Sequence, residues 1–223
     1  METTAYTKNV GVKFNEDGSV RAFPGNTVIC KIDSVDPVYS ELMKAHDLLR
    51  RMPAAEKYVF MPPSSYHMTV IEGVCDQVRS YTRWTERLPL DASLEQVDYF
   101  FIEQYETIRK PEAFSMMCNT IRPTGIRLVP RTEEDWMKLS KFRDEVSVKW
   151  GLRFPGHDQY EFHITLAYNL VELTEAEKVA RDAYMDEISA QVKSSFGVFE
   201  TSAPELVFFE DMFLFSPMRK PGS

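Results

Sequence analysis

Two segments of this 223-residue chain repeat one another: Tyr66-His67-Met68-Thr69-Val70 and Phe162-His163-Ile164-Thr165-Leu166. Each reads aromatic, histidine, apolar, threonine, apolar, and together they hold two of the four histidines. The alternation is that of a half-buried β-strand. Residues two apart on a strand share a face, so His67 lies beside Thr69 and His163 beside Thr165. Imidazole titrates near ~6.5, so around neutrality one ring can take a proton while the other gives one. The hydroxyls can donate to the non-bridging oxygens of a phosphate, where charge grows as a phosphodiester is cleaved. A single His-x-Thr is an ordinary strand sequence, because Thr is a good strand former. Its repetition in one flanking pattern points to a functional pair. That chemistry calls for no metal and no cofactor.

The same alternation sorts the neighbours. Tyr160, Phe162, Ile164, Leu166 and Tyr168 fall on a core face, and Glu161, His163, Thr165, Ala167 and Asn169 on a wetter one. In the first segment Tyr66, Met68 and Val70 face the core, and Ser65, His67, Thr69 and Ile71 face the cleft. Tyr66 and Tyr168 flank the motifs and offer rings to a base, although their alternation favours packing. Tyr160 and Phe154 stand near the cleft mouth. Arg127 and its counterpart Lys31 are read either as phosphate-reaching cations or as solvated surface charge. His157 with Asp158 invites a metal, but companion ligands are missing and a loop histidine is the better reading. His46 lies near the apolar stripe of its helix and reads as structural.

The elements that must position these residues also come twice. Asn26–Asp33 reads as a buried strand. Asp36-Pro37 opens a helix through about Arg51, with Pro in the first helical position. Pro62-Pro63-Ser64-Ser65 leads into the first His strand, Tyr66–Glu72, and a short helix is expected at about Asp76–Arg87. Ser93 and Gln96 form a capping box for a helix that stops before Pro111. Phe114–Ile121 is the next strand. Gly125–Pro130 begins the second round. Thr132 and Asp135 cap a helix with Trp136, Leu139, Phe142, Val146 and Trp150 inward. The second His strand is Tyr160–Tyr168. Thr174 and Glu177 cap a helix lined by Ala176, Val179, Ala180, Ala183, Tyr184, Ile188 and Val192. Strands at about Glu205–Glu210 and Met212–Ser216 follow.

The order strand, helix, His strand, helix, strand thus occurs twice, over residues 26–121 and 125–216, within a single domain spanning 1–223. The predicted class is α+β: a bilobal duplicated fold whose two pseudo-symmetric antiparallel or mixed sheets form a central cleft, with helices outside. A cleft between related sheets is a natural ligand site. Residues 1–25 stand outside the repeat as a hairpin-like extension, which either covers one end of the cleft or is a solvated edge.

Bulk properties narrow the functions. The chain is 43% hydrophobic and 27% charged, with a net charge of −8. That balance argues against a broad duplex nucleic-acid surface, while leaving room for a small phosphorylated ligand. No apolar run approaches the ~20 residues of a membrane span, and Met1–Val10 lacks the pattern of a secretion signal. Cys30, Cys75 and Cys118 are odd in number and far apart, and read as reduced, mostly buried thiols of a cytoplasmic protein. A monomer is expected.

The duplicated His-x-Thr frame on paired strands resembles the two-histidine (2H) phosphoesterase superfamily, whose members include LigT-like RNA cyclic phosphodiesterases. The resemblance covers about Asn26 to Ser216. The strand Asn26–Cys30 and the leading segment Gly11–Gly25 suggest an uncharacterised branch. The resemblance implies acid and base roles for His67 and His163, phosphate contacts for Thr69 and Thr165, and a bilobal cleft. It implies the second-motif histidine as base and the first as acid in ring opening, although pseudo-symmetry lets the roles exchange. It makes a nucleotide or RNA-end phosphodiester the expected substrate, with a 2′,3′-cyclic phosphate leading. The rival readings are a nucleotide-binding module without turnover, and a 2′,5′-phosphodiesterase or RNA-trimming exonuclease in the same cleft.

Overall fold

The computed structural model describes residues 4–217. The chain runs β1 (Gly25–Lys31), α1 (Pro37–Leu49), β2 (Tyr58–Phe60), β3 (His67–Cys75), α2 (Leu94–Glu106), β4 (Ser115–Arg122), β5 (Gly125–Pro130), α3 (Glu133–Trp150), β6 (His163–Thr165), β7 (Ala167–Asn169), α4 (Glu175–Phe196), β8 (Val198–Glu200), β9 (Glu205–Asp211) and β10 (Leu214–Ser216). The class is α+β, and the twice-repeated order of strand, helix, His strand and helix is present.

Local chemistry accounts for the helix starts. Ser93 and Thr174 accept from the backbone N–H of Gln96 and Glu177, whose side chains reach back to the cap, completing two capping boxes. Thr132 accepts from the Asp135 N–H in the same way. Asp36 is the N-cap of α1, but its carboxylate accepts from Asp33 N–H and leaves the helix start to Pro37. None of these helices is long and apolar enough to cross a membrane.

Eight strands form one antiparallel sheet in the order β10-β9-β1-β3-β6-β5-β4-β8, and β2 and β7 form a small second one. The half-sheets expected from the repeat are therefore joined, and the join is narrow: β3 meets β6 through the pair Met68–Ile164. On either side the neighbours match. Lys31 of β1 lies opposite His67, and Arg127 of β5 lies opposite His163. A pseudo-two-fold axis thus passes between the His strands. The outer strands cross over: β4 pairs with β5 and β8, while β9 returns to β1 and β10 pairs with β9 at the edge.

Met68, Val70, Ile126 and Ile164 are fully buried on the helix-covered side. Burial of such side chains stabilises by roughly 1.5–3 kcal/mol each. The helices pack in two pairs, α1 with α4 and α2 with α3. Trp150 of α3 stacks on Phe101 of α2, with ring centroids 4.1 Å apart. Asn26 fixes α2 to the sheet by accepting from Val74 N–H and donating to Asp98 at 2.7 Å.

Four expectations change. First, the stretch 76–87 is a turn-rich loop, not a helix. Arg79 donates to the carbonyls of Leu90 and Ala92 and lies 4.3 Å over the Trp84 ring, so its side chain ties this loop to the segment that follows it. Second, the second His strand is broken at Leu166 into β6 and β7. Leu166 and Ala167 both donate to Thr124 O, which bends the chain out of the main sheet toward β2. Third, Trp136 and Val179 are 39% and 69% exposed. The start of α4 extends past the core, and only from Tyr184 onward does its stripe pack. Fourth, β3 carries a bulge, with a consequence for the site described below. The segment before β1 is not a solvated edge: Phe14 and Phe23 are buried, packed on Tyr168 and Phe209.

Candidate active site

The two histidines are set by the same local device. His67 opens β3 and His163 opens β6. In each case the ring turns back to the carbonyl two residues earlier: Nδ1 of His67 lies 2.7 Å from Ser65 O, and Nδ1 of His163 lies 2.8 Å from Glu161 O. A carbonyl only accepts, so both Nδ1 atoms are assigned the proton. Each Nε2 is then the atom that titrates: a lone pair in the neutral ring and a donor in the imidazolium.

Met68 and Ile164 point into the core, so their neighbours point the other way. Extending the antiparallel register by one residue sets His67 across from Thr165, and His163 across from Thr69. Each imidazole thus has the other motif's hydroxyl as its cross-strand neighbour. The rings are near enough for a charge on His163 to disfavour one on His67. Lys31 and Arg127, as direct cross-strand partners of the histidines, share their face. Lys31 Nζ is 3.4 Å from Asp33, and Arg127 Nε is 3.8 Å from Glu161. Both pairs are partly exposed and loose enough for an anion to compete.

The surroundings of the two rings differ. The ring of His67 packs 4.3 Å from that of Phe215. Burial pushes its pKa down to about 4; the Ser65 carbonyl opposes this and His163 adds to it. Burial also lowers His163, with Arg127 adding to the effect, while the Glu161 carbonyl and the carboxylates of Glu72 and Glu161 oppose it.

Glu72 reaches this face because of the bulge. Ile29 pairs with Thr69 but Val28 pairs with Ile71, so β3 has one residue more than β1 at Val70. Beyond it the alternation inverts. Ile71, expected in the cleft, is buried, and Glu72, opposite Thr27, takes the face of the two histidines. Its carboxylate pairs with Arg83 at 3.3 Å. The sequence signal was faint: two adjacent apolar residues, Val70 and Ile71, where strict alternation wants one.

Tyr160 is brought into the site. Its ring lies 6.1 Å from that of His163, its phenol interacts with Thr69, and burial together with Glu72 raises its pKa. Arg143 of α3 fixes it from below, its guanidinium 4.5 Å from the Tyr160 ring. The same buried guanidinium donates to Val70 O at the bulge and to His157 O at 2.9 Å. Arg143 stands on the apolar stripe between Leu139 and Val146, and a charge at that position was the available signal. Two small hollows border Arg143 and Tyr160, one of about 170 Å³. Neither is lined by His67 or His163.

The remaining candidates lie elsewhere. Tyr66 is buried, packed near Tyr39 and His46. Tyr168, beyond the break at Leu166, packs on Phe14 with Lys13 over its ring. His46 is buried 5.3 Å from Phe60. Phe154 sits under Arg83, 4.8 Å from its guanidinium. His157, Asp144 and Asp158 gather within 4.8 Å, but Arg153 donates to both carboxylates, so a cation is already there.

Comparison with known proteins gives three likenesses. A family model described as 2H-phosphodiest, a domain of unknown function (DUF1868), matches residues 13–127, just over half of the chain. The crystal structure of a conserved protein of unknown function from Agrobacterium tumefaciens str. C58 is 29% identical, with a TM-score of 0.90, over 98% of this chain and 93% of that one. E. coli LigT complexed with phosphate is 11% identical, with a TM-score of 0.47, over 89% of this chain and 96% of its own. No curated protein matches.

Proposed function

The chain belongs to the 2H phosphodiesterase family, and from that premise we propose that it hydrolyses a phosphodiester at a nucleotide or RNA end by paired-histidine acid–base catalysis, a 2′,3′-cyclic phosphate being the leading substrate. The observation that carries this is the matched pair of imidazoles. Each has Nδ1 held by a carbonyl, Nε2 left to titrate, and the opposite motif's threonine across the strand.

With a phosphate over the Met68–Ile164 junction, one Nε2 takes the proton of the attacking water and the other protonates the departing oxygen. Thr69 and Thr165 donate to the non-bridging oxygens. Lys31 and Arg127 add positive charge at the two ends of the site, and Tyr160 can donate beside Thr69. General acid–base assistance of this kind contributes ~10²–10⁴-fold.

The test is a panel of 2′,3′-cyclic, 3′,5′-cyclic and 2′,5′-linked substrates, assayed with EDTA present. Opening of a cyclic phosphate that persists in EDTA is the expected result. Binding of AMP or a cyclic nucleotide without product would favour the non-catalytic module. Cleavage confined to 2′,5′ linkages or to oligonucleotide ends would move the substrate, not the site.

A further inference from the structure

The loop between β3 and α2 displays groups that the fold does not need. Residues 79–87 read Arg-Ser-Tyr-Thr-Arg-Trp-Thr-Glu-Arg, three arginines and two aromatic rings against one carboxylate, in a chain of net charge −8. Part of the loop is anchored. Trp84 is buried and donates to Pro89 O, Thr85 is buried and donates to Trp150 O, and Arg79 donates to Leu90 O and Ala92 O. Among those anchors Arg83 N–H donates to Ser80 O at 2.8 Å, closing a turn with Tyr81 and Thr82 at its tip. Tyr81 is 89% exposed. A turn held from both sides thus carries an arginine and a bare aromatic ring.

This turn stands at one end of the histidine face. The Arg83 guanidinium lies 3.3 Å from Glu72 and 4.8 Å from the centre of the Phe154 ring. Glu72, Phe154 and Tyr160 border one hollow, and the Tyr160 ring is 6.1 Å from that of His163. Along β3, Glu72 is three residues past Thr69, a span of roughly 10 Å. At the opposite end β10 brings Phe215 to 4.3 Å from the His67 ring. The second half has no equivalent turn, because the chain after β6 runs into β7 and pairs with β2. The site therefore has one end that offers a cation and an exposed ring to whatever extends beyond the phosphate.

We propose that the turn at residues 80–83 docks the single-stranded RNA that continues from the reacting phosphate, with Tyr81 stacking on a base and Arg83 exchanging Glu72 for a backbone phosphate. This rests on the phosphodiester reading above and narrows it: the substrate is the end of an oligonucleotide, not a free mononucleotide. A single strand repeats a π-face and a charge at every step, and a ring beside a guanidinium meets both without reading sequence. The Arg83–Glu72 pair is half-exposed on both sides, and a pair so exposed is weak, so a phosphate can replace the carboxylate. A duplex keeps its bases stacked on one another and offers Tyr81 nothing. An acidic peptide would meet the arginine but has no need of the ring.

Binding tests this without turnover. A fluorescein-labelled single-stranded hexanucleotide RNA with a 3′-phosphate is titrated by anisotropy with wild type, Tyr81→Ala, Arg83→Gln and Lys178→Gln, the last an equal charge change on α4. Tyr81 and Arg83 are both at the surface, so the fold survives either change. Tyr81→Ala and Arg83→Gln are each expected to weaken binding about tenfold, and Lys178→Gln to bind as wild type does. Arg83→Gln should also lower the slope of log K against log salt by about 0.7, one phosphate contact. Equal affinity in wild type, Tyr81→Ala and Arg83→Gln overturns the proposal, as does equal competition by the duplex form or by polyglutamate. Turnover then separates it from the reading on which it rests. Wild type is expected to open a hexanucleotide ending in a 2′,3′-cyclic phosphate with a kcat/KM about tenfold above that for a cyclic mononucleotide, and both variants to narrow the ratio. Equal opening of the two substrates by wild type overturns the docking and leaves the hydrolase standing. Strand binding that depends on Tyr81 and Arg83, with neither substrate opened, supports the docking and sinks the hydrolase.

Discussion

Acidification should destabilise this protein through His67, by an amount that the structure bounds. The ring is pressed against Phe215, and desolvation lowers its pKa from 6.5 to about 4. A depressed histidine pKa means that the folded state binds fewer protons than the unfolded chain. Stability from this group is therefore complete above pH ~6.5 and declines as pH falls toward ~4, where the folded protein also accepts the proton. At roughly 1.4 kcal/mol per pKa unit the whole interval is worth about 3 kcal/mol, and descent to pH 5 about 2 kcal/mol. The perturbation is His67→Asn, which removes the titration and keeps an N–H to donate to Ser65 O. Urea denaturation of both proteins at pH 7 and pH 5 reads the linkage of His67 and its coupling to His163, because the distant depressed groups His46 and His157 act in both and cancel in the comparison. Wild type is expected to lose about 2 kcal/mol more than the variant. Equal losses would refute the claim that His67 is held neutral by burial. Sulfate should reduce the difference, since an oxyanion in the site favours the protonated ring.

Three further outcomes are expected. Ile164→Ala, at the single pair joining β3 to β6, should cost about 2–5 kcal/mol by urea denaturation, because a fully buried side chain is removed where neighbours cannot close in. Gly125→Ala should cost about 1–3 kcal/mol and lower kcat/KM: Gly125 has φ 143°, and an added Cβ would meet the carbonyl of Ile164 inside the second motif. Arg143→Met should cost roughly 1–3 kcal/mol for each carbonyl it orphans, at Val70 and His157, and should weaken turnover by releasing Tyr160; unaltered stability would show that water replaces the guanidinium.

Much of this was legible because it rests on short-range rules. Alternation in 66–70 and 162–166 placed His67, Thr69, His163 and Thr165 on one face, with Met68 and Ile164 behind them. The Ser93–Gln96 and Thr174–Glu177 boxes marked helix starts. What was not legible depends on pairing between distant segments. The bulge at Val70 exists only against β1, and it moved Ile71 into the core and Glu72 out. The break at Leu166 exists because Thr124 O captures two N–H groups there. Arg79 and Trp84 keep residues 76–87 out of a helix through bonds to Leu90, Ala92 and Pro89 carbonyls, which no local propensity encodes. Arg143 was hidden because a charge on an apolar stripe reads as an interruption until the carbonyls it meets are seen.

The central claim is that His67 and His163 act as one unit on a phosphodiester. It is tested most directly by kcat/KM for hydrolysis of a 2′,3′-cyclic nucleotide, with EDTA present, in wild type, His67→Ala, His163→Ala and the double variant. Each single variant should lose ~10²–10⁴-fold, and the double variant should lose little more than the worse single one, since residues that act together are strongly non-additive. Wild-type turnover in either single variant, or losses that multiply in the double, would contradict it.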